Sequence, residues 1–435
     1  MNYQETLHYL FTNLPMFSRT GADAYKKDIT NTALLCAAVD NPQNKIKTIH
    51  VAGTNGKGSS SHMLAAIFQQ SGYKTGLYTS PHLKDFRERI KIDGRMIPED
   101  FIVSFVEKIK PTSENIKPSF FELTVAMMLY YFAEEKVDIA IVETGLGGRL
   151  DSTNIIKPEL SVITNIGYDH MNILGNSLEE IAFEKAGIIK ENTPVVIGET
   201  LPQTKPVFLK KAEQRKSQIV FAEEQYTIGD VKLDIEKIKV ELKNIQSHQS
   251  QKYILDLNGI YQQKNLRTII TAVDVLKEKG YSLKDENIYY ALGHVKEING
   301  LYGRWDVINK EPLIVVDVAH NEDGIKVLLA QLAMCNYKKL HIVFGIVKDK
   351  EISTMLSILP KEATYYFTKA QSPRALPEEQ LMAKASEYNL YSAHFPEVNI
   401  ALSAARKNAD KGDMILVCGS VYLVGEVNTN LNKVV

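Results

Sequence analysis

The 435-residue chain predicts an α/β protein: a large domain on a mostly parallel sheet, then a smaller C-terminal α/β domain. Three observations carry this. Buried-strand patterns alternate with helical patterns of about 10–15 residues over the first two-thirds, as in strand–helix–strand units. A glycine-rich turn joins the first strong strand to the first strong helix. The alternation then stops at Glu297–Arg304 (EINGLYGR), a stretch with little periodicity, and restarts beyond it. The expected domains are 1–297 and 298–435.

In chain order, Thr48–Ala52 (TIHVA) is a buried strand, followed by the turn and a helix from about Ser60 to Gln70 with Met63, Leu64, Ile67 and Phe68 on one face. Thr75–Thr79 is a short strand, and Pro98 takes the first position of a helix running to Lys108. Ser119 and Glu122 form a capping box before the apolar run LTVAMMLYYF; Ser177 and Glu180 repeat it before IAFEKAGII. Val137–Val142, Leu160–Ile166 and Val195–Gly198 are strands. The charged, alternating stretch Phe221–Leu257 predicts antiparallel strands at a sheet edge, with helices next at Asn265–Lys279 and Lys284–Leu292. Past the linker come strands Leu313–Val318, Lys339–Phe344, Thr364–Phe367 and Met414–Cys418, and helices Gly324–Met334, Glu351–Leu359 and Pro377–Tyr388.

Composition narrows the function classes. Lys plus Arg is 51 and Asp plus Glu is 52, a net charge of −1, which argues against a dedicated nucleic-acid binder. At 44% hydrophobic and 24% charged residues the chain can bury more than one core and is too apolar for a disordered protein. Cys36, Cys335 and Cys418 are neither clustered nor at metal-ligand spacing and read as small buried hydrophobes. The N-terminus has no basic segment ahead of an apolar run, and no apolar stretch approaches the roughly 20 residues needed to span a bilayer. A cytoplasmic protein without a membrane partner is the expectation.

Gly53-Thr54-Asn55-Gly56-Lys57-Gly58-Ser59 lies between strand and helix. Glycines let backbone N–H groups wrap phosphate oxygens, the helix N-terminus adds positive charge, a lysine neutralises β/γ oxygens and a hydroxyl can meet magnesium. Gly58 intrudes between Lys57 and Ser59, so the loop is a variant of the common G-x-x-x-x-G-K-[ST] template. By itself it says only nucleotide. Ser80, Glu143 and His170 each follow a predicted strand and can therefore converge on one magnesium–phosphate site. Singly, each also suits an ordinary solvated or capping residue. Lys185, on residue grounds alone, suits a helix-surface lysine paired with Glu184 or Glu180.

Six motifs in order, GTNGKGS, TSPHLKDFRERI, ETGLGGRLDSTN, YDHMNILG, EKAGI and DVAHN, resemble those of the folylpolyglutamate synthase family, in its bifunctional dihydrofolate synthase/folylpolyglutamate synthase form. That family belongs to the Mur-ligase group, so the resemblance implies a Mur-ligase-like P-loop domain and a Rossmann-like C-terminal domain, with ATP between them. It covers about Asn31 to Val427. It implies ATP contacts by the phosphate loop (Gly53, Thr54, Asn55, Gly56, Lys57, Gly58, Ser59) and by Asn265, Arg304, Asp317 and His320. It implies two magnesium ions on Ser80, Glu143, His170 and Lys185, the last as a carbamate, and pteroate or folate contacts by Ser119, Phe121 and Asp151. Lys57, Glu143, His170 and Lys185 are the implied catalytic set. Tyr261 stands where the family usually has histidine. The implied chemistry is ATP-dependent addition of L-glutamate to dihydropteroate and to reduced folates through an acyl phosphate, by a monomer. The Gly147–Asp151 form GGRLD favours the bifunctional reading over polyglutamylation alone. A cell-wall Mur ligase would need a separate N-terminal domain, and only 52 residues precede Gly53. A GTPase would need Asn-Lys-x-Asp, to which IVKDK (346–350) is the nearest approach.

Overall fold

The computed structural model describes residues 1–16, 19, 21, 28–348 and 352–429. The described residues form two compact units. The first comprises Met1–Lys232, Ile238–Asp256 and Tyr261–Leu301; the second comprises Leu233–Lys237, Leu257–Ile260 and the chain from Tyr302 onward.

The first unit is built on an eight-stranded sheet of β1 (Thr48–Ala52), β2 (Thr75–Tyr78), β3 (Ile90–Ile92), β4 (Arg95–Met96), β5 (Ile139–Glu143), β6 (Leu160–Ile163), β7 (Val195–Ile197) and β8 (Ile219–Phe221), in the order β4-β3-β2-β5-β1-β6-β7-β8. The six strands from β2 to β8 along that order are parallel; β3 and β4 pair antiparallel at one edge. Strands β1, β2, β5, β6 and β7 are buried along their length, as strands covered on both faces must be. The helix Phe120–Glu134 begins on the expected capping box, and almost all its side chains are buried, so its apolar run continues around the helix. The second capping box opens Leu178–Lys185.

Several expectations shift. The helix after the phosphate loop starts at Lys57, before the Ser60 expected, because Gly56 at φ +83° forms its N-cap and Gly58 is already helical. Pro98 is the N-cap rather than the first helical residue, and the helix Glu99–Ile116 runs past Lys108 with Pro111 inside it. Burial of Ile102, Phe105, Val106, Ile109 and Ser113 outweighs the hydrogen bond that a proline cannot make. The stretch 221–257 does not extend the large sheet. Apart from β8, its strands β9 (Tyr226–Leu233), β10 (Ile238–Asn244) and β11 (Ser250–Leu255) form a separate three-stranded sheet in the order β11-β10-β9. The expected linker holds the short helix Val295–Asn299.

The second unit has six strands: β12 (Asp306–Lys310), β13 (Leu313–Val316), β14 (Leu340–Phe344), β15 (Thr364–Phe367), β16 (Ser392–His394) and β17 (Met414–Cys418), in the order β12-β13-β17-β14-β15-β16. Among the described strands of this sheet only β12, unforeseen, pairs antiparallel. Gln331 holds the 257–260 segment in this unit: its Oε1 accepts from Ile260 N at 2.7 Å and its Nε2 donates to Asn258 O at 2.9 Å. The expected helix at 351–359 spans Ile352–Ile358; Glu351, like Asp349 and Lys350 of IVKDK, lies outside the described residues. Cys36 and Cys418 are buried as expected, whereas Cys335 is half-buried; all three are free thiols. Among the described residues no helix is long and apolar enough to cross a membrane.

Candidate active site

Four adjacent parallel strands, β2-β5-β1-β6, end at one edge of the first unit's sheet, and the loops leaving them carry the expected residues. Ser80 follows β2, Glu143 is the last residue of β5, the phosphate loop follows β1, and Thr164 to His170 follow β6. The crevice beyond the carboxyl ends of parallel strands is where such sheets bind ligands.

The phosphate loop is held from the β6 side. Thr54 N donates to Asn165 O and Asn55 N donates to Asn165 Oδ1 at 2.9 Å, while Thr164 Oγ1 donates to Asn55 O at 2.6 Å. The Thr54 hydroxyl accepts from Gly167 N at 3.0 Å and donates to Gly167 O at 3.1 Å. Thr164 and Asn165 were not among the expected site residues. Their only sequence signal is their place at the end of a buried strand. Gln262 buttresses the following helix, its Nε2 donating to Ser59 Oγ at 3.1 Å, and its Oε1 accepts from Asn265 Nδ2 at 2.8 Å. Asn265 thus lies against the loop, and Tyr261 is the N-cap of its helix Gln262–Glu278.

Gly56 makes that approach possible. A Cβ there would stand 2.3 Å from Asn265 Oδ1, on a backbone at φ +83° that disfavours any side chain. Gly56→Ala is therefore expected to weaken ATP binding at least about tenfold, a loss of roughly 1.4 kcal/mol. Titration with a fluorescent nucleotide checks this; unchanged affinity would remove the Gly56–Asn265 contact from the nucleotide site.

Two lysines meet on one acceptor. Lys57 Nζ donates to Gly53 O at 2.9 Å and Thr54 O at 3.1 Å, and Lys185 Nζ donates to Gly53 O at 2.9 Å. Lys185 is 3% exposed, so it is not the surface lysine of the plainer reading. Burial first, and then the Lys57 charge, push its pKa down to about 7; Asp169 and Asp151 oppose the shift.

Glu143 is 4% exposed, and its Oε2 accepts from Ser80 N at 3.3 Å. Its strand position lies level with Val51, two residues before the phosphate loop. His170 adopts a left-handed backbone at φ +51° as the N-cap of Met171–Leu174, with its Nε2 3.8 Å from Asp169 Oδ1. Among the described residues no three His, Cys, Asp or Glu side chains form a ready-made metal cage. A buried carboxylate beside a phosphate loop nevertheless suits magnesium, which takes one or two carboxylates and completes its shell with substrate phosphates and water.

Phe121, half-buried one residue into its helix, lies over Gly145: a Cβ at that glycine would stand 2.4 Å from the ring. Ser119 is that helix's N-cap, its hydroxyl accepting from Glu122 N at 3.2 Å and its N–H donating to Glu122 Oε2 at 2.6 Å. Asp151 is buried, and its carboxylate is engaged by its own loop, accepting from Leu146 N at 2.8 Å, from Thr153 N at 3.0 Å and from the Thr153 hydroxyl.

In the second unit, Asp317 follows β13 and accepts from Ala319 N and Trp305 N, each at 2.8 Å. This ties the turn carrying Arg304 to the one carrying His320. His320 Nδ1 donates to Val318 O at 2.8 Å.

A phosphate loop, a buried carboxylate and a second α/β unit carrying the DVAHN turn define an ATP-dependent ligase, and comparison with known proteins agrees. The Mur ligase middle domain matches residues 51–273, and the Mur ligase glutamate ligase domain matches 303–421. Dihydrofolate synthase/folylpolyglutamate synthase of Bacillus subtilis is 33% identical over 447 residues, covering 99% of this chain and 99% of that one. Folylpolyglutamate synthase of Lacticaseibacillus casei is 33% identical over 441 residues, again at 99% of each. The structure of E. coli FolC in complex with DHPP and ADP superposes with a TM-score of 0.84 at 27% identity, covering 98% of this chain and 96% of that one. The chain belongs to the dihydrofolate synthase/folylpolyglutamate synthase family of Mur ligases.

Proposed function

We propose that the chain uses ATP to join L-glutamate to dihydropteroate and to the γ-carboxylate of reduced folates. The convergence of the phosphate loop, the Ser80–Glu143 pair and the Phe121–Gly145 wall on one sheet edge carries this reading, because it sets an aromatic surface beside a phosphoryl-transfer site. The substrate carboxylate attacks the γ-phosphorus and the bond to ADP breaks, giving an acyl phosphate. The glutamate amine then attacks the acyl carbon, loses its proton, and phosphate leaves as the amide forms. Carboxylates acylate amines poorly in water, so phosphorylation supplies the leaving group.

Catalysis of such transfers is mostly positioning and charge neutralisation. Lys57 and the loop N–H groups hold the β/γ phosphates, and Asn265 secures the loop. In the second unit, Arg304, Asp317 and His320 are the residues proposed to contact ATP. Ser80, Glu143, His170 and carbamylated Lys185 are the residues that would hold two magnesium ions, whose charge, when bound, offsets that of the phosphates. Phe121 offers its ring face to the flat pterin, with Ser119 and the loop ending at Asp151 at its border.

The carbamate answers a local problem. Two ammonium groups on the Gly53 carbonyl repel, and Lys185 is the buried one. Its neutral amine attacks CO2 and releases a proton, replacing a repelled cation with an anion that Lys57 attracts.

A substrate panel tests the proposal. ATP- and glutamate-dependent phosphate release is expected with dihydropteroate and also with a reduced folate. Activity with the folate and none with dihydropteroate would overturn the bifunctional assignment; activity with neither overturns the whole.

A further inference from the structure

We propose that His50 is a positioning residue for pteroate recognition: through Thr153 it fixes the Asp151 carboxylate, and through that carboxylate the Gly145–Asp151 loop. His50 lies in the middle of β1, on the strand that enters the phosphate loop, and is completely buried. Its Nε2 is 2.8 Å from Thr153 Oγ1. The Thr153 hydroxyl has one proton and donates it to Asp151. Asp151 also accepts from Thr153 N at 3.0 Å and from Leu146 N at 2.8 Å; burial raises its pKa, and these three donors oppose that shift by favouring the ionised, acceptor-only form. With the hydroxyl proton committed, His50 Nε2 has to be the donor to Thr153. The ring is therefore the Nε2–H tautomer, an assignment from the network. Its Nδ1 is buried with no hydrogen-bond partner among the described residues. Burial holds the His50 pKa down to about 3, so the ring stays a neutral donor throughout the working pH range.

The result is a one-way chain: His50 to Thr153, Thr153 to Asp151, with Leu146 N donating to the same carboxylate from the other side. Leu146 adjoins Gly145, on which the Phe121 ring rests. A buried histidine with one nitrogen unsatisfied is costly, and a leucine there would avoid that cost but could not direct the Thr153 proton. The inference rests on the pteroate site proposed above.

Four variants of the full chain test it: His50→Gln, His50→Leu, Thr153→Val and Phe121→Ala. Glutamine places an amide nitrogen near the Nε2 position, so its KM for dihydropteroate is expected to stay within about threefold of wild type, while His50→Leu and Thr153→Val raise it about ten- to a hundredfold. KM for ATP and kcat at saturation should move less than about threefold in all three, and the His50→Leu/Thr153→Val double variant should be little worse than either single one, since both cut one chain. If His50→Leu fails to fold, Thr153→Val, which keeps the shape and removes only the hydroxyl, carries the test. The proposal is overturned if both leave the dihydropteroate KM unchanged, if ATP KM and kcat shift in parallel with it, or if glutamine is as damaging as leucine. Phe121→Ala separates the two levels. A raised dihydropteroate KM there, with none in His50→Leu and Thr153→Val, removes the relay alone. An unchanged KM in Phe121→Ala as well removes the pteroate site on which the relay depends.

Discussion

Glu143→Ala is expected to lower ATP-dependent phosphate release by about a thousandfold or more, the scale seen when a preorganised charge-stabilising group is removed from a transfer site. The side chain leaves β5 level with Val51 of β1, and Thr144 N donates to Val51 O at 2.9 Å, so the carboxylate is held beside the strand that enters the phosphate loop. The fold should survive. Ser80 N donates to Glu143 at 3.3 Å, and Ser80 is only half-buried, so water can replace the acceptor that Ser80 loses. The stability loss should be about 1–2 kcal/mol. Glu143→Gln sharpens the comparison, since it keeps an oxygen for Ser80 and loses only the charge. Its melting temperature should match wild type while turnover falls as in the alanine variant. Normal turnover in either would take Glu143 out of the metal site.

The second large effect concerns Lys185. Lys185→Ala should cost about a hundred- to a thousandfold in phosphate release. With wild-type protein, stripping CO2 from the buffer should remove most activity, and added bicarbonate should restore it. The amine is neutral above its pKa of about 7 and cationic below it, so restoration should be faster at pH 8 than at pH 6.5 at equal dissolved CO2. The same shift bears on the unmodified protein's stability. Between about pH 7 and the ordinary lysine range the unfolded chain binds the proton more readily, so this residue's contribution rises with pH across that window. Below about pH 7 the folded chain carries a buried cation, and the penalty is fully present. Intact-mass measurement in bicarbonate checks the modification directly: an active enzyme with an unmodified Lys185 would rule the carbamate out.

The near-zero net charge conceals how unevenly charge is placed. Lys57 and Lys185 are drawn to one carbonyl at the phosphate loop, although the whole chain is at −1. Composition describes the solvated surface, and local cation density depends on which loops meet.

Much of the architecture is written locally. The strand–helix alternation, both capping boxes and the phosphate loop depend on neighbours one to four positions apart, and these are visible in the sequence. The Ser119–Glu122 and Ser177–Glu180 boxes open helices where expected. What depends on distant partners was not visible there. Pro111 sits inside a helix because a buried face, formed in the tertiary fold, holds that helix together. The 257–260 segment joins the second unit in part because Gln331 makes two hydrogen bonds to it, across 71 and 73 residues. Lys185 changes from an ordinary helix lysine to a buried amine on the Gly53 carbonyl, 132 residues away. The sequence by itself determined most of the strands and helices around the candidate site and the chemical types at their ends. The tertiary structure alone decided the order β2-β5-β1-β6, which sets Ser80, Glu143 and the phosphate loop side by side, because strand order is chosen by burial and pairing across the whole chain.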